Sequence, residues 1–320
     1  MEEDMDDSID TSQKVEVDET FSIMLDELRR SENFLAQGDA DGALTILSVL
    51  QEEADALIAD MFVANDKIQY FSFPSVFDRL AYRRVENDPR ELINSEFPFD
   101  QLYSDIAFAQ INIHDYKAAR EALAQAVRWN PMNCAYRLDL AELYRMEGDV
   151  QEWAALSFSV FERAVDCRHL AQAYNNIGMV LASQGDASAA IGCLKVAEKM
   201  IDTIDGAQTI LNPLKSMLES KNINYKNVNE EACTLAMQEE GIPEGANAEM
   251  AICLIMCATD YADMGNLNEA TRLTILARDL VGQDACKALI ALVRGEDSDG
   301  LGNHEQGESL KKDSFEKDGE

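Results

Sequence analysis

The stretch AQAYNNIGMVLASQGDASAAIGCLKVA, residues 171–197, decides the predicted fold. On both sides of Gly185-Asp186, apolar and small residues recur at spacings of three and four, the period of an amphipathic α-helix. Glycine commonly ends a helix because it accepts the left-handed backbone conformation, and aspartate is a favoured N-cap of the next helix. The stretch therefore predicts two helices joined into a hairpin.

The same turn signal recurs along the chain and indicates an internal repeat. The turns are Gln37-Gly38-Asp39, His114-Asp115-Tyr116, Glu147-Gly148-Asp149, Gln184-Gly185-Asp186 and Met264-Gly265-Asn266, and four of them are followed by an alanine, at Ala43, Ala119, Ala190 and Ala270. His114 and Gly148 are 34 residues apart. The longer gaps, from Gly38 to His114 and from Gly185 to Gly265, each leave room for one degenerate helical unit and an insertion. We place these insertions near residues 65–99 and 205–250.

Around these turns the sequence resembles the tetratricopeptide-repeat (TPR) family, whose 34-residue pattern sets large and small apolar residues along two helices. The best match has Tyr174, Ile177, Gly178 and Leu181 in the first helix and Ala190, Leu194 and Ala197 in the second. Further matches lie at Tyr103, Ile106, Ala107, Ala119, Leu123, Ala126 and Pro131, at Leu254, Cys257, Ala258, Tyr261, Ala270 and Ala277, and more loosely at Phe34, Ala43 and Leu47. The resemblance implies an all-α fold, a TPR-like α-solenoid of stacked helical hairpins in a right-handed superhelix, over residues 21–294.

The segments between the repeats resemble those of bacterial TPR proteins. These proteins have an aromatic segment like FSFPSVFDRLAYRR, residues 71–84, ahead of their best repeats, and a Gly-Ile-Pro break like residues 241–243 before a final repeat. This likeness implies a fold and no particular activity. Local patterns predict helices near Ala207–Ser220 and Asn229–Glu239 and a capping helix at Asp284–Val293. The spacing from Gly148 to Gly185 exceeds the 34-residue repeat by three residues. We place this three-residue excess in a long second helix at Val150–Arg168.

The chain is strongly acidic, with a formal net charge of −33. Because phosphates and anionic membranes are bound by clustered Lys and Arg, we predict neither nucleic acid nor a membrane as a partner. Residues 1–20 hold nine acids and one lysine, and residues 295–320 hold nine acids and three lysines, so both are predicted to be disordered tails. The acidic start without an apolar stretch, together with seven scattered cysteines, predicts a cytoplasmic protein.

Motifs for catalysis or cofactor binding are not recognisable, so we expect a protein that is not an enzyme and needs no cofactor or metal. The three histidines are predicted at a helix–helix turn, in a loop between repeats and in the C-terminal tail, at His114, His169 and His304. Cys253 and Cys257 have the i, i+4 spacing of a metal pair, but core packing is the preferred interpretation. The Asp297–Glu308 segment has some EF-hand spacing, but Leu301 replaces an oxygen ligand.

The resemblance implies a groove lined by the first helices of consecutive hairpins. Its expected lining residues are Ser104, Phe108, Ile111, Leu138, Glu142, Arg145, Gln172, Asn175 and Met179. Because this lining is apolar with a few polar residues, an amphipathic helix or an extended segment would fit it. Alternatively, the array's own helices or insertions fill the groove. Asn176 could match a carboxylate-clamp asparagine of some TPR domains, but Leu138 and Glu142 stand where that clamp has other residues, and the clamp cations are missing.

These observations predict a protein–protein interaction adaptor or scaffold. Its partner is expected to be a protein or peptide with net positive charge and an apolar helical or extended segment, because opposite charges favour encounter. Two alternatives stay open: a TPR-type chaperone for a basic or apolar client, and a regulatory subunit of an enzyme. The oligomeric state is left open as well.

Overall fold

The computed structural model describes residues 11–295, with side chains from residue 19 onward. The helices are α1 (Thr11–Ala36), α2 (Ala40–Met61), α3 (Val76–Glu86), α4 (Phe99–Asn112), α5 (Tyr116–Trp129), α6 (Cys134–Glu147), α7 (Val150–Ser159), α8 (Cys167–Gln184), α9 (Ala187–Met200), α10 (Asn212–Ser220), α11 (Glu230–Glu239), α12 (Ala248–Asp263), α13 (Leu267–Val281) and α14 (Gln283–Arg294). A 3-10 helix at Ala207–Leu211 precedes α10, and two strands, β1 (Ile68–Phe71) and β2 (Glu91–Asn94), flank α3. The predominance of helix confirms the all-α class at this coarse level.

The five predicted turns each separate two helices that pack against each other: α1 on α2, α4 on α5, α6 on α7, α8 on α9, and α12 on α13. At the central turn, Gly185 has a φ angle of 98°, and the Asp186 side chain accepts a hydrogen bond from the backbone N–H of Ala189 at 2.9 Å. At the α4–α5 turn His114 replaces glycine and still has a φ angle of 65°. The local hairpins predicted from these turns are therefore confirmed.

The insertion between α2 and α4 departs from a purely helical fold, because it contains a two-stranded parallel sheet. β1 and β2 pair with Ile68 opposite Glu91, and α3 connects the two strands. The Phe71 ring lies 4.6 Å from the rings of Phe73 and Tyr82, measured between centroids. Burial of these rings favours the extended backbone of β1 over another helix. α3 also packs on α12, so the insertion connects distant parts of the chain.

The predicted long helix Val150–Arg168 is wrong. α7 ends at Ser159, and α8 begins after the N-cap Asp166, whose side chain accepts a hydrogen bond from the backbone N–H of Arg168 at 2.7 Å. The apolar side chains between the two helices are buried, which favours a turn into the core over a continued surface helix. The three-residue excess therefore lies in this turn, and His169, predicted in a loop, lies in the first turn of α8.

The insertion after α9 folds back onto α8. Leu214 of α10 approaches Gly178 so closely that a Cβ atom on this glycine would lie 2.6 Å from the Leu214 Cδ2 atom and 3.3 Å from the Cys193 Cβ atom. Gly178 therefore allows a close approach of α8 to both α10 and α9. The helices predicted near Ala207–Ser220 and Asn229–Glu239 and at Asp284–Val293 are confirmed by the 3-10 helix with α10, by α11 and by α14.

At the N-terminal end, α1 begins at Thr11, so the helical region starts inside the segment 1–20 that the sequence predicts as a tail. Residues 1–10 and 296–320 lie outside the described residues, and with them the Asp297–Glu308 segment and His304. Between Thr11 and Gly295, none of the helices combines the length and apolar character that a membrane span requires.

Candidate functional site

Helices α6 and α8 lie side by side, and their facing side chains form a cavity that we call the α6–α8 cleft. The side chains of Asn133 and Asp166 cap the starts of these two helices. Residues spaced three and four apart then share one face of each helix. The cleft has a volume of about 540 Å³. Its lining consists of Ala135, Leu138, Asp139, Glu142, Arg145, Arg168, His169, Gln172, Asn175, Asn176, Met179, Ile210 and Pro213.

Six of the nine predicted groove residues line this cleft. They are Leu138, Glu142 and Arg145 on α6 and Gln172, Asn175 and Met179 on α8. The other three, Ser104, Phe108 and Ile111, lie on α4 and are not part of the lining. Phe108 is 53% exposed, whereas Ile111 packs against the N-terminal part of the core. The structure therefore brings together the α6 and α8 portion of the predicted groove and leaves the α4 portion outside it.

The cleft also contains residues that were not predicted to line the groove, although Asn176 was considered as a clamp residue. Asp139 and Asn176 each follow a predicted lining residue, so a wider angular window on the same helices would have found them. Arg168 and His169 were missed because the sequence places them at the end of the predicted helix Val150–Arg168 and in a loop, whereas both belong to α8. The wall formed by the 3-10 helix and the start of α10 had no local signal, since it depends on how the insertion folds back.

Three amide side chains of α8 form a polar network at the cleft. Gln172 Nε2 donates a hydrogen bond to Asn176 Oδ1 at 2.9 Å, and Asn176 Nδ2 donates one to Ser157 Oγ at 3.0 Å. Asn175 Oδ1 accepts a hydrogen bond from the backbone N–H of Leu214 at 3.1 Å. Because the N-cap residue of α10 provides no side-chain hydrogen bond, Asn175 acts as its cap from another helix.

This network shows that part of the surface predicted as a groove is covered by the protein's own insertion. Asn175 is only 1% exposed, and the segment it holds forms one wall of the cleft. Toward the other wall the side chains of Glu142 and Arg145 are 48% and 41% exposed. The cleft therefore remains open along α6, whereas on α8 the side chain of Asn175 is covered by the insertion.

Positive and negative groups are balanced in the cleft. Arg145 donates hydrogen bonds of 2.7 and 2.5 Å to the Glu142 carboxylate, which raises the pKa of Arg145. Burial raises the pKa of Asp139, and the negative charge of Glu142 adds to the effect. The guanidinium of Arg168 lies 3.7 Å from the Asp166 carboxylate. Two carboxylates and two guanidiniums thus line the cleft, although the whole chain carries −33.

The titratable groups of the described residues do not assemble a recognisable reaction centre. Burial lowers the pKa of His169, which favours its neutral imidazole. In the hydrogen-bond network of residues 19–295, its ring has no bond to a hydroxyl, thiol or carboxylate that would form a nucleophile–base pair. Cys253 and Cys257 are buried, and burial raises the pKa values of these thiols to about 11 and about 12. In the same residues no group of three or more His, Cys, Asp or Glu side chains is placed to hold a metal ion.

What the cleft offers instead is a mixed surface for non-covalent binding. Leu138 and Met179 provide apolar area, and Gln172 and the paired Glu142 and Arg145 provide polar groups beside it. Comparison with known proteins does not add to this description, because the sequence matches no protein-family model and no curated protein.

Proposed function

We propose that this protein is a TPR-like adaptor or scaffold that binds a segment of a partner protein in the α6–α8 cleft. In this proposal the helical hairpins stack into a right-handed superhelix, and α6 and α8, as first helices of neighbouring hairpins, line its groove. The supporting observation is the contact between α8 and the protein's own insertion. Asn175 binds a backbone N–H there, and Ile210 and Pro213 pack at the same surface. A surface that holds one polypeptide segment in this way has the chemistry to hold another beside it.

The lining favours a partner segment that is apolar and either helical or extended. Leu138 and Met179 would contact its apolar side chains, while the exposed Glu142 and Arg145 would lie at its edge. Because the lining is balanced in charge, attraction of a basic partner comes from the acidic protein as a whole. Long-range charge would set the association rate, and the cleft would set the lifetime of the complex.

Affinity capture from a cell lysate under mild salt tests this proposal. Gln172→Trp fills the cleft, and Gln238→Trp makes the same change on the exposed surface of α11 as a matched control. Circular dichroism first verifies that both variants fold. A single stable partner that only Gln172→Trp loses supports the adaptor proposal. Many weakly held clients would favour a chaperone, and a captured enzyme would favour a regulatory subunit. If the wild type, Gln172→Trp and Gln238→Trp capture the same proteins equally, the cleft has no role in binding them.

A further inference from the structure

The last helix of the described residues, α14, is apolar on nearly every side. From Ala285 to Val293 its sequence is ACKALIALV, in which Lys287 is the only charged or polar residue. A helix at the surface of a protein normally carries polar residues on the side that faces away from the core. Along most of its length α14 lacks such a polar side.

One face of α14 is accounted for by the fold of the chain, because it packs against α12 and α13. Cys286 on this face is only 4% exposed, and Leu289, Ile290 and Val293 are partly buried against the core. These four residues follow the three- and four-residue spacing of one helical face. They hold α14 in place and leave its opposite face uncovered.

The opposite face consists of small and apolar residues that remain in contact with solvent. Ala288 is exposed, Ala291 is partly exposed, and Leu292 is 73% exposed. Apolar surface in contact with water is unfavourable, so covering Leu292 would be stabilising. The distance between packed helices depends on the side chains at the contact, and alanines allow a close approach. The face is therefore suited to contact with another helix.

Beside this face, apolar surface continues onto α13. Leu267 and Ile275 of α13 are 66% and 42% exposed, and they share a pocket of about 270 Å³ with Ile290 and Arg294 of α14. None of the described residues that line this pocket is an aspartate or a glutamate. In a chain with a formal net charge of −33, a surface without carboxylates is a place where a second acidic chain can approach closely.

The two ends of α14 carry opposite charges. Asp284 lies in the first turn with a fully exposed side chain, and its neighbour Lys287 is 4.0 Å away and also exposed, a pairing that solvent screens. Arg294 lies in the last turn and forms no ion pair with any residue that the structure describes. Such a helix is complementary in charge to an antiparallel copy of itself, whereas a parallel copy would bring like charges together. Antiparallel helix dipoles favour the same arrangement.

We propose that the outward face of α14 binds a second copy of this chain, with the two α14 helices antiparallel across a two-fold axis. A two-fold axis brings the same patch of both chains together. With Ala288 of one chain opposite Ala291 of the other, Asp284 of each chain lies beside Arg294 of the other, and both copies of Leu292 are covered. α14 contributes no residue to the α6–α8 cleft, so this proposal does not depend on the function proposed for the cleft.

The size and charge of the face determine the expected strength of the dimer. α14 has 12 residues and is about 18 Å long. One pair of helices of this length buries less than the roughly 800 Å² per partner of a standard interface, so we expect a weak dimer whose population rises with concentration. Because each chain carries −33, long-range repulsion opposes association, and added salt should strengthen the dimer by screening it. A basic partner in the α6–α8 cleft should show the opposite dependence on salt.

Sedimentation velocity of the full chain, at protein concentrations from about 10 μM to about 1 mM, tests the proposal. We expect a concentration-dependent conversion of monomer to dimer, with a Kd that falls about threefold or more when salt is raised from about 0.01 to about 0.15 M. Leu292→Glu should raise the Kd about tenfold or more, because a charge replaces a covered apolar side chain. Leu235→Glu makes the same change at an exposed leucine of α11 and should leave the Kd unchanged. A chain that stays monomeric throughout, a dimer that Leu292→Glu leaves intact, or growth beyond the dimer would overturn the proposal.

An exchange of charges tests the antiparallel arrangement itself. Asp284→Arg places an arginine beside Arg294 of the other chain, and Arg294→Asp places an aspartate beside Asp284. Each variant alone should therefore dimerise about three- to tenfold more weakly than the wild type, because two exposed ion pairs become repulsive. An equimolar mixture of the two variants restores both pairs of opposite charge and should dimerise better than either variant alone. Circular dichroism verifies that every variant folds, and if Leu292→Glu does not, the mixture decides. A mixture that dimerises no better than its separate components overturns the proposal.

Discussion

The contact between Asn175 and the insertion makes a quantitative prediction for Asn175→Ala. The substitution removes the oxygen that accepts the Leu214 N–H at 3.1 Å. Because both residues are buried, at 1% and 0% exposure, no bulk water replaces that acceptor. Leaving a buried donor without a partner costs about 1–3 kcal/mol. Loss of a helix cap costs a similar amount, about 0.5–2 kcal/mol. We therefore expect the free energy of unfolding to fall by about 1–3 kcal/mol.

The effect should be largest in α10 and the 3-10 helix, because Leu214 belongs to α10 and both elements pack on α8, which carries Asn175. Hydrogen exchange measured by mass spectrometry resolves this, and the amides of Asn212–Ser220 should exchange about 5- to 140-fold faster, since each 1.4 kcal/mol is a factor of ten. In thermal denaturation the melting temperature should fall by several degrees, since chains of 150–250 residues lose roughly 2–4 °C per kcal/mol.

Asn33→Ala is the matched control for this prediction. Asn33 also makes one side-chain bond to the backbone, from Nδ2 to the Arg29 carbonyl oxygen at 2.9 Å, but it is exposed. Its loss should change stability by no more than about 0.5 kcal/mol. Equal effects of the two substitutions, or unchanged exchange in α10 of Asn175→Ala, would refute the inference that Asn175 anchors the insertion on α8.

Four further outcomes are expected. Ala190→Leu should lower the free energy of unfolding by about 1–3 kcal/mol in a denaturant titration, because Ala190 is 0% exposed and the larger side chain overpacks the hairpin; no change would contradict close packing there. Burial, and to a lesser extent the charge of Glu32, raises the pKa of Asp105 to about 7. The folded state therefore binds more protons than the unfolded state between pH 4 and 7, so the free energy of unfolding falls as pH rises through that window. Asp105→Asn should therefore raise the melting temperature at pH 8 and leave it nearly unchanged at pH 4, and the opposite order would refute the assignment. Once a cleft-binding partner is identified, Met179→Ala should speed its dissociation as measured by surface plasmon resonance, because a buried contact is worth about 1–3 kcal/mol. Phe108 lies outside the cleft, so Phe108→Ala should leave the dissociation rate unchanged. Raising salt should mainly slow association, because screening shortens the reach of the protein's charge, and a salt-independent association rate would remove the electrostatic argument.

The hairpins could be read from the sequence because their signals are local. Gly185 takes a left-handed conformation and Asp186 caps the next helix through atoms only three residues away, so the identity of these residues determines the turn. Helical periodicity likewise placed Leu138 and Met179 on surfaces that do face a common cleft. In such cases the relevant energies depend on one helix and its immediate neighbours in the chain.

Only the tertiary structure decided the conformation of segments where contacts with distant residues compete with local preference. The predicted helix through residues 150–168 is broken because its middle is drawn into the core, and β1 forms because aromatic rings of the insertion are buried together. Asn175 was predicted to face a partner, yet it caps α10 through Leu214, which lies 39 residues away in the chain. No local pattern encodes that contact, because its benefit exists only after the insertion has folded back and excluded water from both groups.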